Sequence, residues 1–183
     1  TTLTEAEVQR IAKHFVDPEY KDLPDFSAEL AELDKQHPGF ARWRTRNTLA
    51  HKKPGYVAVT LSLKPTGVAP GDVTDKQWDA IADMADRYSF GQLRTSHEQN
   101  IILADVEERQ LFTMWGELRE HGFATPNIGL LTDMICCPGG DFCSLANAKS
   151  IPIAESIQRR FEDLDYLFDI GELHLNISGC MNA

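Results

Sequence analysis

The sequence has no run of about 18 apolar residues, so it offers no membrane-spanning helix. Its opening residues, Thr1-Thr2-Leu3-Thr4-Glu5-Ala6-Glu7, lack the basic and apolar regions of a signal peptide, which leads us to expect a cytoplasmic protein. Twelve Gly and nine Pro in 183 residues are near ordinary usage and exclude collagen-like and low-complexity chains. Cysteine is sparse, with four residues, and in a reducing compartment these are expected as thiols, metal ligands or catalytic groups and not as disulfides. Acidic residues are missing between Asp34 and Asp72, although the whole chain has 28 of them against 18 basic residues, a net charge of -10. That gap holds Lys35, Arg42, Arg44, Arg46, Lys52, Lys53 and Lys64, with His37 and His51. Two readings stand side by side: a solvated basic linker pairing with the acidic remainder, or a strap reaching a polyanion. Nucleic acid is a poor partner for so acidic a chain, whereas a polycarboxylate fits.

Hydrophobic periodicity sets the coarse organisation. Residues 3–16 read as a helix with Leu3, Val8, Ile11, Ala12 and Phe15 largely on one face, and residues 25–36 as a second with Phe26, Leu30 and Leu33. With Pro18, Pro24 and Pro38 between them, residues 1–54 are expected to be a helical connector. From residue 55 the texture changes. Val57, Val59, Leu61 and Leu63 alternate as a strand, and Thr74-x-x-Gln77 is a capping box opening a helix with Trp78, Ile81, Ala82, Ala85 and Tyr88 on its apolar face. Two short strands are expected over 91–95 and 100–103. Another helix is expected from an Asp105-x-x-Glu108 cap to a stop at His121-Gly122. This order predicts an α+β fold, with helices on one face of a mostly antiparallel sheet, over residues 55–123. Residues 124–183 bring a Cys- and Gly-rich loop, a helical stretch broken near Pro152, and a last strand over 173–177.

The loop Cys136-Cys137-Pro138-Gly139-Gly140-Asp141-Phe142-Cys143 and the turn Ser178-Gly179-Cys180-Met181-Asn182-Ala183 carry the chemistry. Glycines let backbone approach a bulky inorganic group and aim amides at it. Two cysteines on one loop and one on a distant strand end is a common way to hold an iron–sulfur cluster. The spacing matches neither a zinc ribbon nor a bacterial ferredoxin. Cys136 and Cys137 diverge as neighbours, so Cys136 is read as a packed thiol. The plain alternative is that all four are buried, inert thiols.

Cys137-x5-Cys143 followed by Ile177-Ser178-Gly179-Cys180-Met181-Asn182-Ala183 resembles the siroheme/iron–sulfur signature of the assimilatory sulfite and nitrite reductases. His51-Lys52-x-x-Gly55-Tyr56, Ser62-Leu63-Lys64-Pro65, Tyr88-Ser89-Phe90-Gly91 and Arg94-Thr95-Ser96-His97-Glu98-Gln99-Asn100 resemble the ferredoxin-like half domain of the same family, in the same order. The resemblance covers residues 40–183. It implies a ferredoxin-like half domain over 55–123, then the start of a siroheme/4Fe-4S α/β domain over 124–183. The sequence ends one residue before the position expected for a fourth cluster cysteine, so this stretch is expected to be a fragment from the second of two repeats.

What the resemblance implies about function is correspondingly specific. Cys137, Cys143 and Cys180 become cluster ligands. Arg94, Gln99 and Asn100 become candidates for contact with siroheme carboxylates or for packing between repeats, and Asn182 is expected to shape the turn after Cys180, with cofactor contact second. No catalytic residue is assigned, since the substrate-binding cations of the family lie mainly in the first repeat. Cluster and siroheme are expected in the complete polypeptide and not in this stretch alone, which is expected to be inactive. The implied partners are the other repeat, a reductase or ferredoxin as electron donor, and a small oxyanion, with no nucleic acid and no membrane. Sulfite reduction to sulfide is the leading expectation. Nitrite reduction, or a cofactor-free structural or electron-transfer module, are the alternatives.

Overall fold

The computed structural model describes residues 3–181. Four strands form one sheet in the order β1-β2-β4-β3: β1 (Thr48–Ala50), β2 (Tyr56–Leu61), β3 (Arg94–Thr95) and β4 (Ile101–Glu107). All its pairings are antiparallel, with Val59 opposite Leu103 and an irregularity in register between Val57 and Val59. Val57, Val59, Leu61 and Leu63 are buried, as their period-two spacing predicts. They meet two helices, α4 (Asp75–Tyr88) and α5 (Leu111–Glu120), which bury Ile81, Met84, Ala85 and Tyr88, and Leu111, Met114 and Leu118 respectively.

The capping box forms as predicted: the Gln77 N–H donates to Thr74 Oγ1 at 3.3 Å and the Thr74 N–H to Gln77 Oε1 at 3.1 Å. The face that α4 buries is rotated from the expected one. Met84 faces the core, and Trp78 is 43% exposed. The cap predicted at Asp105 is absent, because β4 runs on to Glu107 and takes Asp105 into the strand; α5 is entered through a 3-10 turn at Glu108–Gln110 instead.

The N-terminal stretch needs more correction. Helix α1 (Glu5–Ala12) is shorter than the 3–16 span and buries none of its residues. After α2 (Ser27–Gln36) comes a helix the sequence reading missed, α3 (Pro38–Asn47), which starts with Pro at a position that needs no N–H. Its charges hide an apolar face: Phe40 and Trp43 are fully buried and join Leu30 in the core of the sheet. The stretch expected as a connector therefore completes the core. Its arginines pair outward with the acidic remainder, Arg44 with Asp34, Arg42 with Asp165 at 2.6 Å and Arg46 with Glu172 at 3.3 Å, which favours the pairing reading over the strap.

Beyond α5, a second, two-stranded sheet pairs β5 (Ile135–Cys136) in parallel with β6 (Asn176–Ile177). Between them lie α6 (Ile151–Arg160) and α7 (Leu164–Ile170). Pro152 opens α6 and does not break it; the break falls over 161–163. The last strand is thus shorter than the expected 173–177 span. Among the described residues no helix is long and apolar enough to cross a membrane.

Candidate metal centre

Parallel pairing brings the two cysteine segments together. The Ile135 N–H donates to Leu175 O at 3.0 Å and the Cys137 N–H to Ile177 O at 3.1 Å, so Cys137 leaves β5 beside the turn that follows β6. A 3-10 turn at Gly139–Asp141 then folds the loop back, and the Cys143 N–H donates to Gly139 O at 2.9 Å. The intervening segment closes the arrangement. The Gly140 N–H donates to Ala148 O at 2.9 Å, and the N–H groups of Asn147 and Ala148 both donate to Gly179 O, at 2.8 and 3.1 Å.

Only glycine permits this closeness. A Cβ on Gly139, whose φ is +58°, would stand 2.6 Å from Ser150 N, and one on Gly179 would stand 2.6 Å from Ala148 O. The Gly179 N–H donates to Cys137 Sγ at 3.1 Å, and Ser150 Oγ lies 3.3 Å from the same sulfur. The Ser150 hydroxyl, and then the Gly179 amide, hold the Cys137 thiol below the usual cysteine range. Cys136 behaves oppositely: it is buried, and burial with the neighbouring Cys137 pushes its thiol up to about 11, consistent with a packed thiol. Cys143 and Cys180 are half-buried, and Ser178 Oγ lies 4.0 Å from Cys180 Sγ.

The donor types fit a thiolate-bound cluster. There is a thiol of depressed pKa, an amide aimed at its sulfur, and glycines where backbone crowds in. The placement is less complete, since among the described residues no three His, Cys, Asp or Glu side chains are grouped to hold a metal ion.

The remaining candidates divide. Asn182 lies outside the described residues. Arg94 is exposed on β3 and lines a cleft with His51, Lys52 and Lys53 and with the acidic Asp17 and Asp105. In the same cleft Tyr20 donates to Asp105 Oδ1 at 2.6 Å, and this bond, with burial, pushes the Tyr20 phenol up to about 12. Asn100 is buried and inward-facing: its Oδ1 accepts the Leu63 N–H at 3.2 Å and its Nδ2 donates to Asp133 Oδ1 at 2.9 Å. Both ends of its amide are engaged within the protein. Gln99 likewise reaches the backbone of Cys136.

Lys64 was seen in the sequence only as a basic residue in a motif. Its ammonium is wholly buried, 2.6 Å from Asp133 Oδ1 and bonded also to Glu98 O. Burial holds its pKa below the usual lysine range, with Asp133 opposing. Its one sequence signal was a charge at the end of an alternating strand run; Asp133 gave none.

Comparison with known proteins bears on these features. The family model of the nitrite/sulfite reductase ferredoxin-like half domain matches residues 50–121. The chloroplastic ferredoxin–nitrite reductase of Betula pendula is 32% identical over 106 residues, 55% of this chain and 18% of that protein. The corresponding enzyme of Spinacia oleracea is 31% identical over 142 residues, 73% of this chain and 22% of its own length. The sulfite reductase (ferredoxin) of Mycobacterium tuberculosis H37Rv is 27% identical over 127 residues, 66% of this chain and 23% of its length. The solved structure of the Mycobacterium tuberculosis NirA protein superposes with a TM-score of 0.56 at 23% identity, over 73% of this chain and 24% of that one, a likeness of fold. The chain spans about a fifth of the length of the curated relatives it matches.

Proposed function

We propose, from the premise that this chain belongs to the nitrite/sulfite reductases through its ferredoxin-like half domain, that it forms part of a sulfite reductase and bears that enzyme's cluster thiols. The observation that carries the reading is the knot around Cys137, where Ser150, Gly139 and Gly179 converge on one sulfur and tie together the two segments bearing Cys137, Cys143 and Cys180. These three cysteines would serve as thiolate ligands of a 4Fe-4S cluster, with the remaining ligand supplied from outside them. Cluster and siroheme, when bound, would relay electrons from the external donor to the oxyanion, a redox chemistry that no side chain provides.

This chain's own residues hold and insulate the thiols. Gly139 and Gly179 let the backbone close around Cys137, and the Gly179 amide stabilises its anionic form. Arg94, with Lys52 at the same cleft, supplies fixed positive charge suited to siroheme carboxylates or to the facing repeat. The division into a ferredoxin-like half domain over 55–123 and a cluster-bearing part over 124–183 belongs to this proposal. So do cations from the other repeat that neutralise the oxyanion, and a ferredoxin as donor, for which the names of the relatives speak.

A second reading, nitrite reduction, is favoured by one observation: the relatives at 31 and 32% identity are nitrite reductases, against 27% for the sulfite reductase. The test is oxidation of reduced methyl viologen by the full-length protein, with sulfite and nitrite in parallel. Sulfide formation is expected, abolished in the Cys143→Ser variant and absent from residues 1–183 alone. An undiminished rate in Cys143→Ser would sink the ligand assignment. Preference for nitrite would select the second reading, and reduction of neither anion would leave a structural or electron-transfer module.

A further inference from the structure

In a parallel pair, successive residues of a strand turn their backbone groups to opposite sides. On β5, Ile135 and Cys137 address β6, so the N–H and C=O of Cys136 point the other way, towards the half domain. Among the described residues no strand stands there to receive them. The Gln99 side chain does: the Cys136 N–H donates to Gln99 Oε1 and Gln99 Nε2 donates to Cys136 O, both at 2.9 Å. One amide side chain thus supplies the donor–acceptor pair that a neighbouring strand would offer.

The turn that presents Gln99 is built for the purpose. Gln99 has a φ of +59°, a conformation uncommon for any residue but glycine. It sits in the loop between β3 and β4 closed by Ser96 N–H to Asn100 O at 2.9 Å and Gln99 N–H to Ser96 O at 3.2 Å. Its two neighbours grip the approach to β5: Glu98 O accepts from Lys64, whose ammonium pairs with Asp133, and Asn100 bonds Asp133 directly. On the far side a Cβ at Gly71 would lie 3.0 Å from Gln99 Cβ, so the 65–72 loop backs the side chain closely.

We propose that Gln99 is a positioning residue for the thiol loop, fixing the backbone of Cys136 against the sheet and thereby the place of Cys137. Its value rests on the cluster reading above, while the pinning itself does not. Strain at Gln99 is then the cost of aiming an amide across the gap between the two sheets.

The test separates the two ideas. In the full-length protein, amide hydrogen exchange is measured for wild type, Gln99→Met and Gln99→Glu. Gln99→Met removes both bonds and should speed exchange at Cys136 by about tenfold, the scale expected for a buried N–H that loses its partner, with β2 and β4 unchanged. Gln99→Glu keeps the acceptor for the Cys136 N–H but sets a second oxygen against Cys136 O, so exchange at Cys136 should fall between wild type and Gln99→Met. Unchanged exchange at Cys136 in Gln99→Met overturns the proposal, and so does loss of protection throughout β2 and β4, which would make Gln99 a general fold determinant. The same proteins are then reconstituted with ferrous iron and sulfide, and bound iron and the electron paramagnetic resonance of the reduced state are recorded. Lower iron content or an altered signal in Gln99→Met, with a smaller change in Gln99→Glu, is expected. Wild-type iron content and signal in Gln99→Met would overturn the positioning role. A wild-type protein that takes up no iron would defeat the cluster reading and leave the pinning of Cys136 standing.

Discussion

Lys64 shows what a single buried charge does here. Its ammonium is out of water, held by Asp133 Oδ1 and two backbone carbonyls, those of Glu98 and Asp133. Such a pair adds little over apolar residues of equal shape, but removing one partner strands the other. Lys64→Met is expected to destabilise the protein by about 3–5 kcal/mol in denaturant titration, and Lys64→Met with Asp133→Asn to recover part of that loss, because the amide removes the stranded charge and still offers an acceptor where Asp133 takes bonds from Asn100 and the Gly129 N–H. A double variant no better than the single one would contradict the pairing. Tyr20 offers a test in pH. Its phenol is raised from an ordinary 10.0 to about 12 by Asp105. Folded and unfolded chains both keep this proton below the ordinary value. Above it only the folded chain does, so the contribution is complete below pH 10 and is lost as pH rises through about 12. Tyrosinate absorbance should therefore lose part of its latest-rising component in Tyr20→Phe. In Asp105→Asn that part should move to lower pH, leaving the part due to Tyr88, also at about 12.

Among the elements, α3 carries more of the core than its composition suggests. Phe40 and Trp43 stack with ring centroids 5.9 Å apart, and Phe40 meets Phe112 and Trp115 of α5 edge-on. Trp43→Ala should cost about 3–5 kcal/mol, as for other buried aromatics, measured as a shift in denaturation midpoint with unchanged slope. A cost under about 1 kcal/mol would mean that α3 is only a connector. The sequence hid this helix because Arg42, Arg44 and Arg46 alternate with its apolar residues and read as a charge run. By contrast α4 was legible from its capping box, and β2 from its alternation, because each signal is local. The exposure of Trp78 was not, since which face turns inward depends on what α5 and the sheet leave open.

For the whole molecule, local pattern and family motifs together made the sheet-and-helix half domain readable. The cysteine segments were recognisable as a set. What joins the two halves was not: Gln99 to Cys136, Asn100 to Asp133 and Lys64 to Asp133 are pairings between residues distant in sequence, and no period or spacing announces them. The parallel pairing of β5 with β6 has a consequence in time. On the ribosome Cys137 and Cys143 emerge well before Gly179, whose amide contacts Cys137, and before β6, which sets the register of β5. Contacts so remote along the chain close late in folding. During synthesis the half domain can therefore settle while these thiols still await their partners, and any inorganic occupant is best delivered after translation has passed the Gly179 turn.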